Sequence, residues 1–154
     1  MSLMTTLMDR TSRGFEFLIV LASMIMLGWG LLGFLEYFTG FAPLMPLQNA
    51  TFPVGMQTLH WILITASGAT FILGYFLCWR LTPIAMLVMF TALATMCAVQ
   101  TFDMLESPDR YRNFVQECVN YIIISIYLFR SKRMRDRFGR ITVQDRDGPS
   151  PISA

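Results

Sequence analysis

His60 is the chain's only histidine, and it stands near the start of a long apolar run. Glu36, Gln100, Asp103 and Glu117 also fall near the ends of such runs, with Asn120 one turn beyond Glu117. Ionisable groups inside apolar spans are costly, so they mark functional positions by default. A neutral imidazole facing Glu36 or Glu117 could relay protons, bind a polar headgroup or hydrogen-bond a quinone carbonyl. The same residue types also serve as plain membrane-boundary groups whose carboxylates reach for water. That simpler reading suits Glu36, His60 and Asp103. Glu117 lies about a full turn inside a run with little length to spare, so it points equally to a working site and to pairing within the bundle.

Cys97 is about one turn from the end of the third apolar run, and Cys118 about one turn into the fourth. As neighbours they could form a thiol pair, and a disulfide if their Cα atoms lie within about 7 Å. A cysteine in a span is more often a small packing residue. With Cys78 they make no C-x-x-C motif, hence no zinc or thioredoxin-type signature. One histidine and scattered carboxylates fall short of the three or four convergent ligands a metal needs. No metal and no catalytic residue is assigned, and a quinone is the one cofactor class that the polar groups suggest.

The elements that must position these groups are membrane helices. Of 154 residues, 55% are hydrophobic and only 14% charged, against about 25% charged in a soluble domain. The apolar residues gather in runs long enough to cross a bilayer, which takes about 20 residues. Spans are expected over 15–38, 57–79, 83–102 and 114–129. The middle pair is a hairpin bent at Arg80 and Pro83, the proline suiting the first turn of a new helix. The first run is too long for a signal-peptide core, and predicts a retained span that also acts as insertion signal. The fold class expected is all-α: an integral-membrane four-helix bundle with short loops, one domain over 1–138, and a disordered cytoplasmic tail over 139–154.

Basic residues set the orientation. Arg10, Arg13, Arg80 and the run Arg130, Lys132, Arg133, Arg135 and Arg137 fall on one side if there are four spans. The other side holds Arg110 and Arg112, offset by carboxylates of the same loop. The positive-inside rule then puts both termini in the cytoplasm. The five basic residues after the fourth span are read as lipid-headgroup contacts, each worth about 1 kcal/mol against anionic lipid. A nucleic-acid partner is not expected, because the run lacks aromatic interleaving and a recognisable fold. Glu16 is expected to pair with Arg13, three residues away on one helix face.

Small residues predict where helices touch: Ala66, Thr70, Gly74 and Cys78 in the second span, Thr91, Ala94, Thr95 and Ala98 in the third, Gly30 and Gly33 in the first. The loop from Thr39 to Met56 is free of Lys and Arg yet apolar, which suits an interfacial position. It carries the glycosylation pattern Asn49-Ala50-Thr51, relevant only in a secretory pathway.

The layout of the spans and the Gly68, Gly74, Arg80 and Pro83 hairpin resemble the DoxX-like group of small bacterial inner-membrane proteins. Tyr37, Phe41, Thr51-Phe52-Pro53, Phe102-x-Met104 and Ser107 resemble a second family of uncharacterised small bacterial membrane proteins, from whose spacing the chain departs. The first resemblance implies an accessory role near quinone or thiol redox systems, and both imply a bacterial inner membrane. The function expected is a non-enzymatic accessory or assembly subunit, partnered by the bilayer and by a membrane protein or its own copies. The rival expectation is a quinone- or thiol-redox-associated subunit with its site at the outer helix ends. A small oligomeric transporter and a membrane immunity protein also fit the shape.

Overall fold

A computed structural model describes residues 3–41, 52–105 and 108–139. Among these described residues five α-helices follow one another: α1 Leu3–Thr39, α2 Val54–Phe76, α3 Thr82–Val99, α4 Arg110–Arg130 and α5 Lys132–Phe138. A π-helical turn, Gln100–Met104, extends α3. There is no strand among the described residues. The segment around Asn49, for which an interfacial position is expected, and the tail beyond Gly139 lie outside the described residues.

Among the described residues, three stretches are long and apolar enough to cross a membrane: Thr11–Thr39, Gly55–Phe76 and Thr82–Met104. Their outward surfaces are apolar, unlike those of a soluble bundle. Phe17, Leu18, Met24, Ile25, Leu73, Phe76 and Val88 face outward, whereas Glu16, Ser23, Ser67 and Thr82 are buried. In hydrocarbon there is no gain from hiding every leucine, so large apolar residues face the lipid as well as filling the core, and small residues sit where backbones approach closely. The chain is a membrane protein.

α4 is the exception among the long helices. Its 21 residues span about 31 Å at 1.5 Å per residue, but Arg112, Asn113, Gln116, Glu117 and Asn120 in its first half keep it less apolar. Its two ends lie at opposite ends of the bundle. Glu117 meets Cys97 near the end of α3, while Tyr127 meets Ser12 near the start of α1.

Close approach fixes the α1–α2 pair. Gly33 lies over the Trp61 ring and Gly30 over Thr65. A Cβ on Gly68 would sit 2.7 Å from both the Ser23 carbonyl oxygen and the Leu27 nitrogen. The contact stripe of α2 on α1 is therefore Trp61, Thr65 and Gly68, at helical spacing. Gly74, from the small-residue ridge expected, meets Thr82 at the head of α3 instead. The turn between them closes with Trp79 N–H on Gly74 O at 2.9 Å, Thr82 Oγ1 on Trp79 O at 2.6 Å, and Cys78 at φ 52°. The core joins Ile19, Phe71, Met86, Phe90, Leu93, Leu128, Met134 and Phe138, so α5 is folded back against the bundle.

Candidate functional site

Two polar clusters stand at opposite ends of the bundle. The first is where α2 begins and α3 ends. The Gln100 side chain is buried in the π-helical turn, its Nε2 3.5 Å from His60 Nδ1. If the amide donates, the imidazole carries its proton on Nε2. Such turns insert an extra residue into a helix and often accompany functional positions. Here the turn carries Gln100 and Thr101 inward while Phe102 and Asp103 face out.

Cys97, one turn earlier on α3, donates its thiol hydrogen to Glu117 Oε2 across to α4, at 2.9 Å. Glu117 is also near enough to His60 for their charges to interact. Between α3 and α4, Cys97, Gln100, Thr101, Arg110, Asn113 and Glu117 surround a cavity of about 340 Å³. Arg110 closes one side by donating to Leu105 O and, at 2.8 Å, to Tyr111 Oη. The Trp61 ring meets His60 edge-on at 5.5 Å, and its buried indole N–H has no acceptor among the described residues.

Of the residues singled out by sequence, His60, Gln100, Glu117 and Cys97 are thus brought together. Glu36 is buried at the same end. Gly33 lies over Trp61, so Glu36, three residues on, comes level with the first turn of α2. Asp103 and Asn120 are exposed. Cys97, Cys118 and Cys78 are all free thiols. No group of three His, Cys, Asp or Glu suited to a metal occurs among the described residues. The arrangement can hydrogen-bond a small polar or aromatic-carbonyl group and hold a proton between carboxylate, thiol and imidazole.

The second cluster was not foreseen. Glu16, 5% exposed, accepts from the Tyr75 hydroxyl at 2.5 Å and from Arg133 Nε, with Arg137 Nη2 at 3.4 Å. The Arg137 guanidinium lies 3.8 Å from the Tyr75 ring centroid and donates to Tyr75 O at 3.3 Å. Beside it, Tyr127 Oη donates to Ser12 O at 2.8 Å. Arg133 and Arg137, read from sequence as headgroup contacts, are drawn inward onto a carboxylate. Arg130, Lys132 and Arg135 remain exposed. More than a hundred residues separate Glu16 from Arg133, so no local spacing signals the pair. A buried carboxylate in an apolar helix, one of very few here, was the available hint.

The chain matches no protein-family model, no curated protein and no solved structure.

Proposed function

We propose that the chain is a four-span protein of a bacterial inner membrane, with both termini cytoplasmic, acting as an accessory or assembly subunit of a membrane complex. The observation carrying this reading is the uncovered polar face of α4. Asn113, Gln116 and Asn120 recur at helical spacing and are exposed, and Glu117 beside them is exposed too while it accepts from Cys97 of α3. With Arg110 at one membrane boundary and Arg130 at the other, Asn120 lies about 15 Å deep, near the middle of an approximately 30 Å core. Carboxamides at that depth seek hydrogen-bonding partners on a neighbouring helix.

The partner is a helix of a different protein. Two copies in one bilayer that pair through this face do so about an axis along the membrane normal, which sets the residues nearest the axis beside their own equivalents. That would place Glu117 against Glu117 and Arg112 against Arg112, like charges that oppose association. A partner helix bearing donors and acceptors at matching depth has no such penalty.

The test is Asn120→Leu with Gln116→Leu, beside Val88→Ala on the apolar face of α3. Gentle extraction followed by size-exclusion chromatography should show the double variant released from its complex and Val88→Ala retained. Equal retention of the double variant and Val88→Ala would sink the reading.

A second reading, a quinone- or thiol-redox-associated subunit, is favoured by Gln100, Cys97 and Glu117 lining one cavity, with His60 hydrogen-bonded to Gln100 beside it. It predicts a quinone co-purifying with the wild type and lost on His60→Ala. No bound quinone and an unchanged His60→Ala phenotype would remove it.

A further inference from the structure

Where α4 ends and α5 begins, an open groove of about 900 Å³ runs between α4 and the Ser12–Phe15 stretch of α1. Its floor and walls are apolar: Phe15, Ile123, Ile126 and the Tyr127 ring. Phe15 packs edge-on against Tyr127 at 4.6 Å, and the Ser12–Tyr127 hydrogen bonds hold that corner rigid. The mouth is cationic. Arg130 and Lys132 line it, are exposed, and make no ion pair among the described residues. Arg133 is engaged by Glu16, and Asp136 is the one acid on the rim.

We propose that this groove holds one anionic glycerophospholipid, its acyl chain along Ile123, Ile126 and Phe15 and its phosphate between Arg130 and Lys132. The pattern of charge and apolarity is that of a lipid at the membrane boundary, oily below and charged above. The boundary runs through this level because α4 ends at Arg130, where the chain turns into the short basic helix. The two outward cations outnumber Asp136, so a net negative headgroup is favoured over a zwitterionic one, whose ammonium would face Arg130 and Lys132.

The site differs from general adsorption of a basic segment to an anionic surface. General adsorption counts charges wherever they sit, so Arg135 would matter as much as Arg130. A built site does not, since Arg135 lies outside the groove. The proposal rests on the membrane placement of α1 and α4, but not on a protein partner.

The experiment uses the full chain in detergent micelles, titrated with dioleoyl phosphatidylglycerol or dioleoyl phosphatidylcholine and read by native mass spectrometry. Wild type should bind one phosphatidylglycerol in preference to phosphatidylcholine. Arg130→Gln should weaken that binding about fivefold, and Arg130→Gln with Lys132→Gln about 30-fold, following the attraction of each cation to anionic lipid. Arg135→Gln should stay within about twofold of wild type, as the guanidinium outside the groove adds only a screened interaction. Ile126→Trp, which fills the groove, should abolish the one-lipid species while leaving the charges in place. If that variant fails to fold, the comparison of Arg130→Gln with Arg135→Gln decides alone. Equal weakening by those two variants, or equal binding of the two lipids, overturns the proposal. Failure of the membrane placement would appear separately, as wrong-sided labelling of cysteines placed at the helix ends.

Discussion

Gly68→Ala and Gly28→Ala add the same methyl group to neighbouring helices, and the structure gives them opposite signs. At Gly68 the new Cβ would lie 2.7 Å from the Ser23 carbonyl oxygen, 2.7 Å from the Leu27 nitrogen and 3.0 Å from Leu27 Cα. All three are backbone atoms, so no rotamer change relieves the overlap. Ordinary contact between heavy atoms begins at about 3.5 Å, so α1 and α2 must separate by roughly 0.5–1 Å. A gap of that size forfeits a quarter to a half of each van der Waals well along the seam. The expected cost is about 1–3 kcal/mol, the range for overpacking a tight interior. At Gly28 nothing lies within 4 Å of an added Cβ, and the residue is exposed. There alanine should gain up to about 1 kcal/mol of helix preference. The assay is reversible unfolding in mixed micelles of dodecylmaltoside and SDS, followed by circular dichroism. Gly68→Ala should unfold at a lower SDS fraction than wild type, and Gly28→Ala at an equal or higher one. If both move together, the close α1–α2 crossing at Gly68 is wrong.

Other consequences follow from the two polar clusters and the thiols. Glu16→Ala should destabilise by about 1–3 kcal/mol in the same assay, because the Tyr75 hydroxyl loses its acceptor and two guanidiniums lose their counter-ion. A double-mutant cycle of Glu16 with Arg133 should show positive coupling, while Glu16 with Arg135 should show none. Cys97 is buried and donates to Glu117, whereas Cys78 sits partly exposed in the α2–α3 turn. N-ethylmaleimide should therefore label Cys78 well before Cys97 in the folded protein, and all three thiols once unfolded without reductant; finding only one alkylated thiol in the unfolded chain would reveal a disulfide. Single cysteines placed at Arg80 and Gly139 should react from one side of intact membrane vesicles, and one at Asp109 from the other; labelling of positions 80 and 139 from opposite sides would mean that α4 does not cross.

The helical membrane character was legible because it depends on composition over long windows, where dozens of apolar residues speak together. The hairpin at Arg80 and Pro83 was legible for a local reason, a single charge and a helix-starting proline between two apolar runs. Depth near the helix ends also placed His60, Gln100, Cys97 and Glu117 at one level, since antiparallel spans bring sequence ends together. Azimuth was harder. The ridge Ala66, Thr70, Gly74 and Cys78 named no partner helix: its Gly74 meets Thr82 at the head of α3, while Trp61, Thr65 and Gly68 meet α1. In a helix rich in small residues several faces offer comparable ridges, and only three-dimensional packing chooses among them. The clamp of Arg133 and Arg137 on Glu16 depends on α5 turning back after Arg130, and no residue spacing encodes that return. The inward turn of Gln100 depends on a π-helical register that hydrophobic periodicity does not reveal.

The most direct measurement on the central claim is site-specific photocrosslinking in native membranes, with a photoreactive residue at Asn120 and, as control, at Val88. The account predicts a discrete adduct from position 120 to one membrane protein of different sequence, stoichiometric in the extracted complex and absent from position 88. An adduct to a second copy of this chain, or lipid adducts alone from both positions, would contradict it.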